Sequence, residues 1–310
     1  MNVNASNFGS QGKVNEAAAA AAIKTERRER RELRREKQRV ANVQRAQAMH
    51  QARLTFQREG MGSLEESPPP TGNHVGCSGW FYWHWRNGFY PGNVPTSQWF
   101  THYAKTFKTV ELNAPFYSWP TGNTVQTWIR QVGRRKFLYT IKVSELITHV
   151  KRFQGTKTLI KDFGFIADLL DQRFGCFLFQ LPPSFHYSQT ALNRIVGQLD
   201  PARRNVVEFR HHSWWNPTVY KAFEGAGITF CSCSAPALPD ELIETSDSIY
   251  VRFHGKKRWY RHDYTKPELE IWAERIQKCQ AKSVWAYFNN DRDMFAIKNA
   301  KQFRALLKSA

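Results

Sequence analysis

Polar residues of the kinds that do acid/base chemistry recur at alternate positions near the ends of three short apolar runs. They form pairs separated by one residue: Glu111 and Asn113, Glu208 and Arg210, and Arg252 and His254. Carboxylates and imidazoles accept and donate protons, and guanidinium groups bind phosphates and carboxylates through paired hydrogen bonds. If the fold brings the three runs together, the pairs predict acid/base chemistry on an anionic substrate.

The framework that must position these pairs consists of eight short runs rich in β-branched and aromatic residues, which alternate with segments of helical periodicity. The runs are centred on residues 75–78, 109–113, 138–142, 177–180, 206–210, 228–232, 249–254 and 284–289. A helix candidate follows each run, for example residues 125–131, 158–170, 189–199 and 267–280. Eight such units over about 240 residues predict an α/β fold, a (β/α)₈ TIM-type barrel. A doubly wound sheet would need a Gly-rich first turn, and no G-x-G-x-x-G motif follows any run.

Strand parity decides which side chains face the barrel interior, because side chains on a strand alternate between its two faces. Val110 and Leu112 suit the helix layer, so Glu111 points inward. The same reasoning directs inward the other polar residues near the carboxyl ends of the runs: Asn113, Lys142, Gln180, Glu208, Arg210, Arg252, His254 and Asn289. Barrel enzymes place their active sites at this end, which predicts a pocket. The alternative is a plug, in which the cations neutralise the two glutamates and the network merely fills the barrel.

The chemistry of each group suggests its role. Glu111 and Glu208 are candidate catalytic bases. Lys142 would stabilise developing negative charge, and His254 would pass a proton. The candidate substrate-binding residues are Asn113, Gln180, Arg210, Arg252, Asn289, Trp80, Tyr82 and Trp214.

No cofactor is predicted. A divalent metal held by Glu111, Glu208 and His254 is disfavoured, because the interleaved cations would repel it. The aromatic loop of residues 80–90 is expected to form a lid or a platform on which bases or sugars stack. The alternative is a hydrophobic cap over the end of the barrel.

The first 72 residues are predicted to be a basic arm and linker, followed by a barrel domain over residues 73–310. Residues 24–58 have the composition of one charged helix in which almost nothing can be buried, and a disordered arm is the alternative. Residues 60–72 include three consecutive prolines and predict the linker. The mixture of Arg and Glu favours a solvated tail, whereas the Arg-dense residues 27–39 would alternatively bind nucleic acid through its phosphates.

The whole chain is strongly basic, with a formal net charge of +19 over 310 residues. This balance favours phosphates, nucleic acid or acidic surfaces as partners. The N-terminus lacks a signal-peptide pattern and no apolar run approaches the length of a membrane span, so we expect a cytoplasmic protein without a membrane partner. The five cysteines are an odd number, with no second Cys/His pair at zinc spacing, and are expected to be reduced thiols.

Three longer motifs carry a resemblance to a known family. They are GCSGWFYWHWRNGFYP at residues 76–91, FQLPPSF at residues 179–185 and EFRHHSW at residues 208–214. Together with VELNAPFY, KVSELITH, IYVRFHG and YFNND they form a collinear series that resembles the YecE-like family, domain of unknown function 72. The resemblance covers the barrel and implies a shared pocket, but the family has no assigned reaction.

Two functions are therefore expected from the sequence. The first is an enzyme, a hydrolase, lyase or isomerase, that acts by acid/base chemistry on a phosphorylated or otherwise anionic substrate such as a sugar phosphate or nucleotide. The alternative is a protein that binds RNA or single-stranded DNA through the basic arm and the aromatic barrel mouth, without catalysis.

Overall fold

A long N-terminal helix precedes the barrel. The computed structural model describes residues 8–60 and 69–308. Helix α1 spans Phe8–Arg58, which confirms the predicted charged helix. Within it, Glu26 and Arg30 form an i,i+4 ion pair, with carboxylate and guanidinium 3.1 Å apart. Most of the predicted linker, residues 61–68, lies outside the described residues.

The chain divides into two compact units, Met1–Gln44 and Arg45–Ala310. The last part of α1 therefore belongs to the same unit as the barrel. Ala46 and Met49 are buried in its hydrophobic core, and Arg53 Nε donates to Asp162 Oδ1 at 2.9 Å. The expectation that almost nothing in residues 24–58 is buried was wrong for this stretch. Its small and apolar residues pack in the core, and Arg53 on the same helix pairs with the buried carboxylate of Asp162.

Eight parallel strands form the barrel, in the order β1-β8-β7-β6-β5-β4-β3-β2. Their bounds are β1 Gly72–Cys77, β2 Thr109–Leu112, β3 Leu138–Lys142, β4 Phe174–Gln180, β5 Asn205–Glu208, β6 Thr229–Ser234, β7 Ser248–Phe253 and β8 Ser283–Phe288. Every predicted run overlaps one of these strands. The barrel closes between β1 and β2 through a parallel bridge that joins Ser78 to Glu111.

This closure brings two backbones unusually close. The Tyr103 hydroxyl accepts from the amide of Cys77 at 2.9 Å and donates to the carbonyl of Thr109 at 3.0 Å, so it links the two strands. At Gly76, a Cβ atom would lie only 2.5 Å from the carbonyl oxygen of Thr109. A larger residue there would push the seam apart.

Helices pack around the strands. They are α2 Trp99–Thr106, α3 Ala114–Tyr117, α4 Gly122–Val132, α5 Lys157–Leu170, α6 Gln189–Gln198, α7 Pro217–Gly225, α8 Lys266–Gln277 and α9 Phe295–Leu306. The expected helix between β6 and β7 is missing, since residues 235–247 contain no helix. Pro236 and Pro239 explain the difference, because proline disrupts the interior of a helix. Within the described residues, no helix combines the length and the apolar character needed to cross a bilayer.

The barrel has two apolar regions that follow strand parity. Val110, Val207 and Val251 pack in the larger core between strands and helices. The barrel interior is a separate cluster that includes Tyr250 and Tyr287 from neighbouring strands. This alternation confirms the predicted parity and directs the polar residues of β2, β5 and β7 into the barrel.

Candidate functional site

An ionic network lies inside the barrel near the carboxyl ends of β2, β5 and β7. Arg252 donates through Nη2 to Glu111 Oε1 and through Nη1 to Glu208 Oε2, both at 2.5 Å. The hydroxyl of Tyr250, one inward position earlier on β7, donates to the second oxygen of Glu111 at 2.5 Å. Arg252 and both glutamates are almost completely buried. Buried charges require partners, and Arg252 here compensates two carboxylates at once.

Glu208 has partners on both of its oxygens. Its Oε1 accepts a hydrogen bond from Arg210 Nε and lies 3.2 Å from His254 Nε2. Burial by itself would raise the pKa of Glu208, but the charges of Arg210 and Arg252 and the contact with His254 hold that pKa well below its usual value. Glu208 therefore stays ionised. We refer to Glu111, Glu208, Arg210 and Arg252 as the ion-pair layer.

His254 connects this layer to the rim of the barrel. Its Nδ1 lies 3.2 Å from Asn289 Nδ2. Burial, followed by the charges of Arg210 and Arg252, lowers the pKa of His254 well below the usual value, so the ring is neutral. The tautomer with its proton on Nε2 donates to Glu208 and accepts from Asn289, which satisfies both ring nitrogens.

Above the ion-pair layer, a cavity of about 770 Å³ opens at the carboxyl ends of the strands. Its lining includes most of the residues predicted to bind substrate: Tyr82, Asn113, Gln180, Arg210, Arg252 and Asn289. Predicted catalytic Lys142 also lines it, whereas Glu111, Glu208 and His254 do not. The pocket and the plug considered from the sequence are therefore both present, as two successive levels of one barrel.

Lys142 differs from the other cations of the site. Its Nζ lies 3.9 Å from the centre of the Phe116 ring, and no carboxylate oxygen of the described residues lies within 4 Å of it. Burial and then the nearby charge of Arg252 lower the pKa of Lys142 to about 7. A substantial fraction of this amine is therefore unprotonated at neutral pH.

Asp291 and His84 form a second titratable group at the cavity, which the sequence reasoning missed. Both Asp291 oxygens accept from Trp85 Nε1, at 2.9 and 3.0 Å, and Oδ2 lies 2.9 Å from His84 Nε2. Burial raises the pKa of Asp291 to about 6, although these hydrogen bonds oppose the shift. The signal was present in the YFNND motif, where an acid lies three residues beyond the end of β8.

The predicted aromatic residues separate into different environments. Tyr82 lines the cavity, and its hydroxyl donates to the Ser78 carbonyl at 2.6 Å. Trp80 packs at the rim, with its ring centre 5.0 Å from that of Phe100, and does not line the cavity. Tyr82 therefore fits the predicted cavity-lining position, whereas Trp80 fits the alternative of a hydrophobic cap.

Trp214 is a clearer departure from the predicted binding role. It is completely buried on the helix side of the barrel, where it stacks on Phe209 with ring centres 4.1 Å apart. Its indole nitrogen donates to the carbonyl of Phe185 at 2.7 Å. The side chain thus has no access to the cavity, because Phe209 faces the helices and Trp214 packs beside it.

The loop after β7 supplies cavity residues that strand parity could not identify. Trp259 and Tyr260 line the cavity, and the guanidinium of Arg210 lies 4.5 Å from the centre of the Trp259 ring. The loop begins at Gly255, which has φ +107° and whose added Cβ would lie 2.5 Å from the Arg258 carbonyl. Glycine is therefore required where the chain turns back over the mouth.

Three side chains have ligand atoms close enough to hold a metal ion. They are Glu208, Cys233 and His254, whose ligand atoms all lie within 4.8 Å of one another. Cys233 was not a sequence candidate for this set. A divalent ion here would compete with Arg210 and Arg252 for the Glu208 carboxylate, so the charge around the site opposes a metal.

Comparison with known proteins gives a consistent family relationship. A family model described as "Protein of unknown function DUF72" matches residues 74–310. The chain is 24% identical to the UPF0759 protein YunF of Bacillus subtilis strain 168 over 273 residues, covering 76% of this chain and 94% of YunF. Among solved structures it resembles a DUF72 family protein of Thermotoga maritima, with 28% identity, a TM-score of 0.69, and coverage of 76% and 99% of the two chains.

A second solved structure is similar in fold alone. It is a DUF72 family protein of Enterococcus faecalis, 19% identical, with a TM-score of 0.66 and coverage of 76% of this chain and 96% of that chain. None of these descriptions states a substrate or a reaction.

Proposed function

The chain belongs to the DUF72 family, whose description names no reaction, and from the geometry of its site we propose that it is an enzyme acting by acid/base chemistry on a small phosphorylated or carboxylated substrate. The observation that carries this proposal is that two basic side chains at the cavity have no carboxylate partner among the described residues. Arg210 and Arg252 are balanced by the glutamates beneath them. Lys142 and Arg292 also line the cavity, and no described carboxylate lies within 4 Å of either.

The polar groups of the rim support recognition of an anion. Asn113 is anchored by its Nδ2, which donates to the Ser78 carbonyl at 3.1 Å, while its Oδ1 is buried with no partner among the described residues. A buried polar atom without a partner is costly, and a hydroxyl or protonated group of a ligand would satisfy it. A substrate that carries both an anionic group and hydroxyls fits this combination.

The candidates for the acid/base role are groups that line the cavity rather than the glutamates of the ion-pair layer. Glu111 and Glu208 are committed to Arg252 and do not line the cavity, so neither carboxylate is free to take a proton from a substrate. Lys142 and Asp291 do line it, and burial moves the pKa of one down to about 7 and that of the other up to about 6. Groups with pKa values near the working pH are the most effective acids and bases.

The test measures binding of glucose 6-phosphate, with glucose as the uncharged comparison, by isothermal titration calorimetry. We expect binding of the phosphate ester only, weakened by about tenfold or more in Arg292→Gln and Lys142→Met, since a hydrogen bond to a charged group contributes about 1.5–3 kcal/mol. Lys221→Met removes an exposed lysine on α7 and should bind like the wild type. Inorganic phosphate should compete. Equal responses in all four proteins, or none, would contradict the proposal.

A second candidate function is binding of single-stranded nucleic acid at the same mouth. The observation that favours it is the loop after β7, where exposed Lys256, Lys257 and Arg258 adjoin Trp259 and Tyr260. Cationic side chains beside aromatic rings bind a phosphate backbone and stack bases without sequence preference. The exposed charges of α1, at residues 27–39, would add affinity.

Salt dependence distinguishes this candidate from the enzyme. Affinity for a single-stranded RNA oligonucleotide should fall as salt rises, with a slope of about −0.7 for each phosphate contact. Replacing Lys256, Lys257 and Arg258 together by Gln should make that slope less steep. A matched change of the exposed residues Lys105, Lys108 and Lys278 should leave it unchanged. Affinity that does not change with salt, or that does not depend on the loop residues, would reject nucleic-acid binding at this mouth.

A further inference from the structure

We propose that Lys142 forms a covalent iminium with the carbonyl carbon of an aldehyde or ketone substrate that also carries a phosphate or carboxylate group. This inference rests on the proposed function, because it names the reactive part of the anionic substrate held in the same cavity. It goes further by assigning Lys142 as the nucleophile.

The surroundings of Lys142 suit a nucleophilic amine. It is the one lysine that is buried among the described residues, and its side chain comes from the carboxyl end of β3 and lines the cavity. Four exposed lysines among the described residues have carboxylate partners within 4 Å; one is Lys298, 2.6 Å from Asp263. Lys142 instead lies over the face of the Phe116 ring, which is a weaker partner for its ammonium form than a carboxylate would be.

The charged groups around the amine favour its neutral form. Arg210 and Arg252 disfavour the ammonium, Glu208 and Glu111 partly oppose them, and burial has the largest effect. His149, which contacts the same Phe116 ring, has its pKa lowered to about 4 by burial and then by Lys142, so it adds no charge near neutrality. With a pKa of about 7, the amine is neutral in a far larger fraction of molecules than an exposed lysine is.

The proposed step balances without any further reagent. The neutral Nζ attacks the carbonyl carbon, a C–N bond forms, and one proton passes from the nitrogen to the carbonyl oxygen to give a neutral carbinolamine. This oxygen then takes up one proton from the surroundings, the C–O bond breaks to release water, and the C=N bond forms. In total, one amine, one carbonyl group and one proton give one iminium and one water. No oxidant or reductant takes part.

The positive cavity explains why the carbonyl substrate should also be anionic. An iminium places a full positive charge on a buried nitrogen that already feels the charges of Arg252 and Arg210. That cation is unfavourable unless negative charge accompanies it. A phosphate or carboxylate on the same molecule supplies this charge and can pair with Arg292 at the rim.

The experiment uses the full chain and pyridoxal 5′-phosphate, an aldehyde that carries a phosphate. Protein and probe are mixed at pH 7 and reduced with borohydride, and the labelled lysines are identified by peptide mass spectrometry. We expect Lys142 to be labelled at least about tenfold faster than exposed lysines such as Lys221, because far more of it is neutral. Pyridoxal, which lacks the phosphate, should label Lys142 more slowly, and inorganic phosphate should protect it.

Two variants distinguish the role of the Lys142 amine as a nucleophile from the role of its positive charge. Lys142→Met removes both, whereas Lys142→Arg keeps a cation and should still bind glucose 6-phosphate but accept no label. The rate of labelling at Lys142 should rise through a midpoint near pH 7. Circular dichroism on both variants checks that they fold.

The outcomes distinguish this inference from the proposed function. If glucose 6-phosphate binds and depends on Arg292, yet Lys142 is labelled no faster than Lys221, the iminium is wrong and the anion site stands. If Lys142 is labelled rapidly but equally by pyridoxal, with no protection by phosphate, the amine is reactive and the anionic substrate is wrong. If neither binding nor selective labelling occurs, both proposals fail.

Discussion

The ion-pair layer and the cavity above it contain the same kinds of side chain but differ in how their charges are compensated. In the layer, Arg252 is bonded to two carboxylates, and Arg252 and both glutamates are buried. In the cavity, Lys142 has no carboxylate partner within 4 Å among the described residues, and Asp291 is held by neutral or weakly basic donors. Two adjacent levels of one barrel thus separate charges that hold the structure from charges that remain available to a ligand.

This difference teaches that buried charge alone does not locate chemistry. The carboxylate of Glu208 has a strongly lowered pKa, yet this low pKa comes from its pairing with two arginines and leaves it a poor base. Lys142 and Asp291 have pKa values moved toward neutrality because burial is not offset by a full set of partners. A pKa that pairing moves away from neutrality therefore marks a structural ion pair. A pKa that burial moves toward neutrality marks a candidate acid or base.

The strongest test of the comparison is Glu208→Gln. Removing one carboxylate leaves Arg210 and Arg252 sharing the single charge of Glu111, and breaking a buried pair costs about 3–5 kcal/mol of unfolding free energy. Chemical denaturation at pH 7 measures this loss. Because the folded pKa of Glu208 lies below its unfolded value of 4.5, the stability it contributes is present above pH 4.5 and is lost as the pH falls through the folded pKa.

Glu224→Gln is the matched control, since Glu224 is exposed on α7. It should change the unfolding free energy by no more than about 0.5 kcal/mol. If the two glutamine variants were equally stable, the ion-pair layer would not hold the barrel together and its carboxylates would again be candidates for catalysis.

Lys142→Met should raise the unfolding free energy, whereas Glu208→Gln should lower it. The folded pKa of about 7 lies below the unfolded value of 10.5, so the protonated lysine opposes folding. The variant should therefore be more stable than the wild type by about 4–5 kcal/mol at pH 6. This advantage is fully present below pH 7 and disappears as the pH rises toward 10.5. Denaturation of both proteins at pH 6 and pH 10 measures it.

Lys221→Met serves as the control for this prediction and should show no such pH dependence. A Lys142→Met variant that is less stable than the wild type at pH 6 would mean that the amine is structurally paired. Lys142 would then belong with the ion-pair layer rather than with the cavity.

Strand parity made much of the site predictable from the sequence. Alternation along β7 is a local property. It correctly predicted that Val251 and Phe253 face the helices while Arg252 and His254 face the barrel interior. Depth was not predictable in this way. Whether an inward residue is covered or lines the cavity depends on partners across the barrel, as with Glu111, whose partners come from β7.

Parity also gives no guidance beyond the end of a strand. Trp214 follows β5 by six residues and turns back into the helix layer, while Trp259 reaches the cavity through a loop that depends on Gly255. Asp291 was missed for the same reason, since it lies three residues beyond β8. The fold could be predicted because it repeats, but the rim could not, because each loop follows its own path.

The smallest effect in this comparison is expected for Asp291→Asn, and it concerns the cavity alone. The folded pKa of about 6 lies above the unfolded value of 3.8, so the folded state binds more protons between these values. Stability of the wild type should therefore decrease as the pH rises from about 4 to about 6, by about 2 kcal/mol from this group. Asparagine cannot ionise, and its one side-chain oxygen can still accept from Trp85, so the variant should lack this decrease.

Asp293→Asn sharpens the result. Asp293 is exposed, and its charge contributes to the raised pKa of Asp291. This variant should keep the decrease in stability but move its midpoint to slightly lower pH, because one source of repulsion is gone. Denaturation at closely spaced pH values measures both variants. If Asp291→Asn and the wild type gave the same pH profile, Asp291 would be an ordinary paired carboxylate, and Lys142 would remain as the cavity's titratable group.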